Sequence, residues 1–393
     1  MRLDAIQDAL RRAQVDGWLF CDFHHRDLMA YRILGLDSAG MTSRRWYYFI
    51  PAQGEPLKLA HRVEPRKLDA LPGRPEHFLG WKELHEKLKE MLAPYRKIAM
   101  QYSPLNNIPY VSVVDAGTVE LIRSFGKEVV SSADFIQEFE AVTDEAGLAS
   151  HREAGEKVLR VKDEAFALMT RSLRDKTTIT EYEVAQFILR RFDEEGLDGG
   201  GDSPIVGFND HPADPHFEPT KANSYALKEG TSVLVDLWAK LKRPAAIFYD
   251  ITWCGFAGAE PPAEYKKIFS VVCAARDAAV RFVQEGLAAG REVRGFEVDD
   301  ACRRVVIDAG YADRFLHRTG HSIGTSVHGN GANIDNLETR DERKLVPGAC
   351  FSIEPGIYLE GRMAVRAEIN AYVTPGGKAE VFGAVQRELV RIG

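Results

Sequence analysis

Four carboxylates and one histidine lie in short apolar segments of the second half of the chain. They are Asp236 in TSVLVDLWA, Asp250 in IFYDITW, His321 in HRTGHSIG, Glu354 in CFSIEPGIY and Glu368 in MAVRAEINAYV. Each segment has the pattern of a strand inside a sheet. A carboxylate that points into a core is unfavourable unless it is paired or bound to a metal. Four converging carboxylates would repel one another, and two divalent cations would balance their charges, so the pattern predicts a metal site.

Strand periodicity indicates that the polar residues share one face of their strands. The sets that share a face are Asp236 with Leu234 and Trp238, Asp250 with Thr252, and Arg366 with Glu368 and Asn370. The alternative is a solvated outer face, which antiparallel sheets commonly have. The polar positions are mostly Asp, Glu and Thr with no Lys among them, and this favours a site.

The composition is that of an ordinary globular protein. The chain has 393 residues, 45% hydrophobic and 28% charged, which is long enough for two domains. A net charge of −7 and the lack of a basic block argue against nucleic acid as a partner. No apolar run reaches the roughly 18 residues of a membrane span, and MRLDAIQDALRRAQ has no signal-peptide core. Five scattered cysteines without a CxxC pair indicate free thiols, so we expect a cytoplasmic protein with no membrane contact.

The first third of the chain alternates helical and strand patterns. LDAIQDALRRAQVDG and KELHEKLKEMLAPY are amphipathic, whereas WLFCD, RRWYYFIP, PLKLAHRV and RKIAMQYS read as strands. A charged stretch then leads into a long helix. We therefore predict a separate α/β domain over residues 1–145 and a second domain over residues 146–393.

The second domain contains an internal repeat. The stretch from Thr180 to Leu197 aligns without a gap with the stretch from Arg294 to Tyr311, and each copy follows another helix. Two similar helix pairs, each followed by strands, predict a pseudo-symmetric α+β domain. Chance likeness between two amphipathic helices that end in glycine is the alternative.

The segment HRTGHSIGTSVHGNG places His317 and His321 four residues apart, as in a zinc-binding helix. However, Arg318 stands where an HExxH helix has its glutamate, and Gly320 and Gly324 disfavour a helix. We therefore predict a glycine-rich loop with strand character. The histidines interpreted as structural are His24, His25, His61, His77, His85 and His151.

Taken in order, the five residues resemble the metal-ligand signature of the pita-bread metallopeptidases. That family includes methionine aminopeptidase, Xaa-Pro aminopeptidase and Xaa-Pro dipeptidase (prolidase), with creatinase as a metal-free relative. The HxxGH, IEPGIY and RxE segments match in sequence as well as in order, and PHFEP resembles the histidine motif on the substrate side. The resemblance implies an α+β pita-bread domain preceded by a smaller creatinase-like α/β domain that takes part in dimerisation and substrate gating.

The resemblance also implies a role for each residue. Asp236 would bind one metal, Asp250 and Glu368 would bridge both, and His321 with Glu354 would hold the second. The two divalent ions would be Mn, Co, Zn or Fe(II).

Further roles concern the reaction itself. Glu354 would also shuttle a proton, and His328 and His216 would contact the substrate, stabilise the tetrahedral intermediate and assist the departing nitrogen. Arg366 would orient Glu368 and belong to the substrate side of the site.

Retention of all five ligands separates the chain from creatinase, and its amino-terminal domain separates it from minimal methionine aminopeptidases. The resemblance therefore implies a homodimeric dinuclear-metal Xaa-Pro dipeptidase acting on a small peptide. Proline lacks the N–H that general peptidases use, so a dedicated pocket is reasonable. The alternatives are an Xaa-Pro aminopeptidase that acts on longer peptides and a non-catalytic pita-bread binding module.

The chain departs from the family pattern in three places. The connection LWAKLKRPAAIFY between the two aspartates is longer than usual, Ile247 replaces a tyrosine, and Trp253 replaces an arginine. We therefore expect a subgroup with its own way of holding substrate.

The segment GLDSAGMTSRRWYY offers candidates for reading the ends of the substrate. Asp37 would pair with a substrate amine and Arg44 or Arg45 with a carboxylate, if a partner subunit presents them. A solvated loop is the alternative.

Overall fold

The computed structural model describes residues 1–393, which form two units, Met1–Glu140 and Ala141–Gly393. The first unit is built around a six-stranded sheet. The strands of the first unit are β1 (Gly17–Asp22), β2 (Trp46–Pro51), β3 (Leu57–His61), β4 (Arg74–Phe78), β5 (Lys97–Met100) and β6 (Glu128–Ser131). Its helices are α1 (Leu3–Arg12), α2 (Leu28–Leu34), α3 (Trp81–Leu92), α4 (Ala116–Ser124) and α5 (Ala133–Ile136). The strand order is β4-β3-β2-β1-β5-β6, with β2 antiparallel to both neighbours and the other pairs parallel.

The predicted α/β character of this unit is confirmed. The apolar segments in the interior of the sheet form β1, β2, β3 and β5, as their patterns predicted. Strands β4 and β6 were not predicted. The edge strand β4 has the sequence RPEHF and is mostly exposed or half-buried, so it lacks the apolar alternation that marks a strand.

The second unit contains four longer helices and three sheets. Its helices are α6 (Glu145–Arg174), α7 (Glu181–Glu194), α8 (Ala263–Ala288) and α9 (Gly295–Asp308). Its strands are β7 (Leu197–Asp198), β8 (Ile205–Phe208), β9 (Ser232–Leu241), β10 (Tyr249–Ala257), β11 (Ser322–Ile323), β12 (Cys350–Ile353), β13 (Gly356–Leu359), β14 (Met363–Arg366), β15 (Ile369–Val373), β16 (Ala379–Phe382) and β17 (Val390–Ile392). The first sheet has the order β17-β10-β9-β7 with β8 also paired to β9, the second has the order β11-β12-β15-β16, and β13 pairs with β14.

The two faces of the β9–β10 hairpin pack into different cores. Val233, Val235 and Leu237 lie in one core together with the apolar faces of α6 and α7. Leu234 and Cys254 lie in the other, with α8 and α9. The alternation follows the two-residue period of a strand, so the hairpin is buried on both faces over most of its length.

The sequence repeat corresponds to a structural one. Helices α7 and α9 each have 14 residues and begin at aligned positions. At both amino termini a glutamate accepts the backbone N–H three residues earlier, Glu183 from Thr180 at 2.8 Å and Glu297 from Arg294 at 2.8 Å. The predicted α+β class is therefore confirmed. None of the helices has the length and apolarity needed to span a membrane.

Candidate metal centre

The register of β9 and β10 brings the two aspartates onto one face of the hairpin. Asp236 lies directly opposite Thr252, and Trp238 lies directly opposite Asp250. Side chains at directly opposite positions of an antiparallel pair project from the same face, with Cβ atoms about 5 Å apart. The two carboxylates, one hydroxyl and one indole therefore form a single patch, and both carboxylates are buried.

His321 and Glu354 are positioned by the hydroxyl of Ser352, a residue of β12. Oγ of Ser352 accepts the backbone N–H of His321 at 2.9 Å and donates to Oε1 of Glu354 at 3.0 Å. Gly320 passes so close to this strand that a Cβ would lie 2.0 Å from the carbonyl oxygen of Ser352. The glycine of the HxxGH segment is therefore required for the histidine strand to pair with the glutamate strand.

Glu368 and Asn370 join the second sheet to β10. Oε2 of Glu368 accepts the hydroxyl of Thr252 at 2.9 Å. The side-chain oxygen of Asn370 accepts the backbone N–H of Asp250 at 3.1 Å, and its amide donates to the carbonyl of the same residue. These contacts hold the two sheets in register at the level of the carboxylates.

The five residues Asp236, Asp250, His321, Glu354 and Glu368 are referred to below as the five-residue cluster. Ligand atoms of Asp250, His321 and Glu368 lie within 4.8 Å of one another. Nε2 of His321 lies 3.6 Å from Oδ2 of Asp250 and 3.4 Å from Oε1 of Glu354. Asp236 belongs to the cluster because it lies on the same face of the β9–β10 hairpin as Asp250.

The cluster leaves three carboxylate oxygens buried without a hydrogen-bond partner. They are Oδ1 of Asp236, Oδ1 of Asp250 and Oε1 of Glu368. Buried unpaired carboxylate oxygens cost free energy, and coordination of a cation removes that cost. Several carboxylates with one imidazole form a donor set suited to divalent ions of the Mn, Co and Zn type. The residues present therefore fit a divalent metal.

The electrostatics of the cluster indicate missing positive charge. Burial raises the pKa of Asp250 and of Glu368, and neighbouring carboxylates raise both further. Burial also raises the pKa of Glu354, but the charges of His321, His317 and other neighbouring cations outweigh it and hold that pKa below its usual value. The acidic groups thus destabilise one another at close range.

Arg366 occupies a different position from the one expected for it. The side chain is buried and was expected to orient Glu368, but one guanidinium nitrogen pairs with Oδ2 of Asp236 instead. Nε donates to Oγ1 of Thr252 at 3.1 Å, and Nη1 donates to the hydroxyl of Tyr358 at 2.9 Å. Arg366 therefore reaches Glu368 only through Thr252, and all three of its nitrogens contact protein groups.

The two histidines expected on the substrate side lie in exposed segments. The ring of His328 lies edge-on to that of His321 with centroids 4.4 Å apart. His216 lies in the loop before β9, and its backbone N–H donates to Asp214 at 3.0 Å. Burial lowers the pKa of His328 to about 4, and the charges of His321, Arg318 and His216 act in the same direction.

Asp37, Arg44 and Arg45 lie on an exposed loop of the first unit. Oδ1 of Asp37 accepts the backbone N–H of Ala39 at 2.8 Å, and Nη1 of Arg44 donates to the carbonyl of Ser43 at 2.9 Å. These contacts are local to the loop.

The tryptophans of β9 and β10 have different surroundings. Trp253 projects from the face of β10 opposite to Asp250, where Nζ of Lys162 lies 3.5 Å from the centroid of its ring. Trp238 is half-buried on the same face as Asp250, and its Nε1 donates to the carbonyl of Gly199 at 3.1 Å. Trp238, and not Trp253, is therefore the tryptophan that lies on the same face as the cluster.

Sequence reasoning assigned no role to Ser352 or Tyr358. The signal for Ser352 was present, because it lies two residues before Glu354 and must share its face on a strand. Tyr358 is the tyrosine of the IEPGIY segment, and its hydroxyl also contacts Nε2 of His317 at 2.6 Å. That contact joins residues 41 positions apart and has no local sequence signal.

Comparison with known proteins gives consistent matches. The model of metallopeptidase family M24 matches residues 149–375, which include the whole five-residue cluster. The chain is 27% identical over 297 residues to the Xaa-Pro dipeptidase of Lactobacillus delbrueckii subsp. lactis, covering 76% of this chain and 73% of that protein. It is 30% identical over 261 residues to the "Probable dipeptidase PepE" of Mycobacterium tuberculosis, covering 66% and 64% respectively. The crystal structure of dipeptidase PepE from Mycobacterium ulcerans has a TM-score of 0.68 at 26% identity, covering 100% of this chain and 97% of that one.

Proposed function

Because this chain belongs to metallopeptidase family M24, we propose that it is a dinuclear-metal Xaa-Pro dipeptidase, a prolidase, which hydrolyses the peptide bond before proline. The observation that carries the proposal is that ligand atoms of Asp250, His321 and Glu368 lie within 4.8 Å of one another in a cluster with three buried, unpartnered carboxylate oxygens. Likeness to a relative named as an Xaa-Pro dipeptidase supports the choice of substrate.

The five-residue cluster would hold two divalent cations, with manganese as the first candidate. When bound, the cations make a water acidic enough to attack at neutral pH and offset the negative charge that develops on the carbonyl oxygen. The protein contributes a fixed arrangement of carboxylates, since Thr252, Ser352 and Asn370 each hydrogen-bond to a residue of the cluster.

Glu354 is the proton shuttle of the proposed reaction. Its side chain is 15% exposed, compared with 6% for Asp250 and 4% for His321, so its carboxylate is the more accessible one. Oε1 accepts the hydroxyl of Ser352, which leaves Oε2 to take a proton from the attacking water. The same oxygen then delivers that proton to the departing nitrogen.

His216 and His328 act on the substrate side. Each imidazole can donate a hydrogen bond to the carbonyl oxygen as it becomes negative, or to the departing group. The departing nitrogen must receive a proton to leave as the amine of free proline, and Glu354 supplies it.

The assembly and location also belong to this proposal. We assign the first unit to dimerisation and substrate gating in a cytoplasmic homodimer that acts on small peptides. The five cysteines are free thiols, which is consistent with a reducing compartment.

Hydrolysis of Ala-Pro and Ala-Pro-Ala after reconstitution with Mn, Co or Zn tests the proposal. Release of proline from Ala-Pro, with Ala-Pro-Ala left intact, is the expected result. Cleavage of the tripeptide would make the protein an Xaa-Pro aminopeptidase. Failure to cleave either peptide with metal bound would overturn the assignment of substrate and favour a binding role for the fold.

A further inference from the structure

The carboxylate of Glu181 collects hydrogen bonds from both ends of the loop that carries His216. Glu181 is the first residue of α7 and is fully buried. Its Oε1 accepts the backbone N–H of Phe208 at 2.5 Å, where the loop leaves β8, and its Oε2 accepts the backbone N–H of Tyr225 at 2.7 Å, where the loop returns. Residues 208 and 225 are thus joined through one side chain.

A stack of three rings strengthens the same junction. Nδ1 of His211 donates to Oε1 of Glu181 at 2.8 Å. The imidazole lies between the ring of Phe217, with centroids 4.2 Å apart at 26°, and the ring of Tyr225, with centroids 3.7 Å apart at 15°. His211 is therefore fixed by its edge to the buried carboxylate and by both of its faces to the loop.

The base of this loop also contacts strands that carry residues of the site. The short turn His211–Ala213 packs against β13 and β14, the hairpin that carries Tyr358 and Arg366. The outer part of the loop, by contrast, is exposed at His216 and at Lys221. The order of the exposed part therefore depends on how firmly its base is held.

We propose that Glu181 and His211 form a clasp that orders residues 208–225 and so positions His216 for the substrate. The inference rests on the proposed function in one respect, namely that His216 contacts substrate. Glu181 is a positioning residue, because its carboxylate is enclosed by the loop and reaches the substrate only through His216.

The variant Glu181→Gln tests the clasp, because an amide presents one acceptor oxygen where the carboxylate presents two. We expect trypsin to cleave after Lys221 at least about tenfold faster, and kcat/KM for Ala-Pro to fall about tenfold or more. His216→Ala should lower kcat/KM to a similar extent. The double variant Glu181→Gln/His216→Ala should be no less active than His216→Ala, because the clasp acts through that histidine.

The control is Glu183→Ala on the same helix. Glu183 caps the amino terminus of α7 through Thr180, so this variant should lower the melting temperature while leaving cleavage at Lys221 and kcat/KM unchanged. If Glu181→Gln does not fold, His211→Phe keeps an aromatic ring in the stack and removes only the bond to Glu181. It should also expose Lys221 to trypsin.

Three results would overturn the inference: unchanged cleavage at Lys221, additive losses of activity in the double variant, or full activity of His216→Ala. The proteolysis measurement needs no substrate. If the wild-type protein cleaves no Xaa-Pro peptide, the proposed function fails, while the accessibility of Lys221 still shows whether Glu181 orders the loop.

Discussion

The hydroxyl of Thr252 donates to Oε2 of Glu368 over 2.9 Å and accepts Nε of Arg366 over 3.1 Å. This arrangement leaves Oε1 of Glu368 as the buried oxygen without a partner. One threonine therefore determines which oxygen of the glutamate is directed to the cluster, and it links that glutamate to the arginine that pairs with Asp236.

Replacement of Thr252 by valine should weaken metal binding. Valine has a similar shape but no hydroxyl, so Glu368 loses the contact that orients it, and loss of such a contact typically costs about 10–100-fold in affinity. Calorimetric titration of Mn²⁺ into metal-stripped protein measures the effect. Thr252→Ser keeps the hydroxyl and should bind like the wild type, whereas wild-type affinity in Thr252→Val would show that the hydroxyl has no such role.

Removal of one charge from the cluster should stabilise the metal-free protein. Burial and the charge of Asp250 both oppose an ionised Glu368. In the presence of a chelator, Glu368→Gln should therefore raise the free energy of unfolding by about 1–3 kcal/mol. Urea unfolding measures this change.

The same variant should lose the stabilisation that added Mn²⁺ gives the wild type, because that stabilisation depends on metal binding to the folded state. A Glu368→Gln protein that is less stable than the wild type in chelator would show that the buried charge is not a source of strain.

Trp238 should influence which peptides are cleaved. Its indole lies across the strand from Asp250 and is fixed by the bond to Gly199, so it offers a rigid apolar surface beside the cluster. In Trp238→Ala, kcat/KM for Leu-Pro should fall about tenfold relative to Gly-Pro, the scale of a lost apolar contact. Trp253→Phe, on the opposite face of β10, should leave the ratio unchanged. An unchanged ratio in Trp238→Ala would exclude this residue from substrate selection.

His151 should make the fold sensitive to mild acid. Its Nδ1 donates to the carbonyl of Phe248 at 2.5 Å, and burial lowers its pKa from 6.5 to about 4. Below pH 6.5 the unfolded chain binds a proton that the folded protein does not accept until about pH 4. The stability contributed by neutral His151 is therefore complete above pH 6.5 and is lost as the pH falls towards 4.

The variant His151→Gln can still donate to the same carbonyl but does not titrate. Between pH 7 and pH 5, its free energy of unfolding should fall by about 2 kcal/mol less than that of the wild type. Urea unfolding at the two pH values, both in chelator, gives the comparison. An equal fall in both proteins would mean that His151 already takes its proton in the folded state.

Much of the candidate site follows from strand periodicity. The two-residue period put Asp250 and Thr252 on one face and Glu368 and Asn370 on one face, and the structure has both arrangements. The same period puts Trp253 on the opposite face from Asp250. The sequence alone was therefore sufficient to predict that Trp253 lies outside the site.

Other contacts depend on how separate segments meet in space. Arg366 could pair with either of two carboxylates, and the choice of Asp236 depends on the distance between β14 and β9, which no local pattern encodes. The hydrogen bond between Glu181 and His211 joins residues 30 positions apart, so it is visible only in the folded structure. Strand β4 was missed because an exposed edge needs no apolar face.

Metal content and Ala-Pro hydrolysis, measured on the same sample during titration of Mn²⁺ into stripped protein, test whether two bound ions are required for hydrolysis. We expect activity to rise with occupancy and to reach its maximum at two ions per chain, and we expect Asp250→Asn neither to bind two ions nor to turn over substrate. Full hydrolysis of Ala-Pro by the metal-stripped protein, or activity that saturates without bound metal in Asp250→Asn, would contradict this requirement.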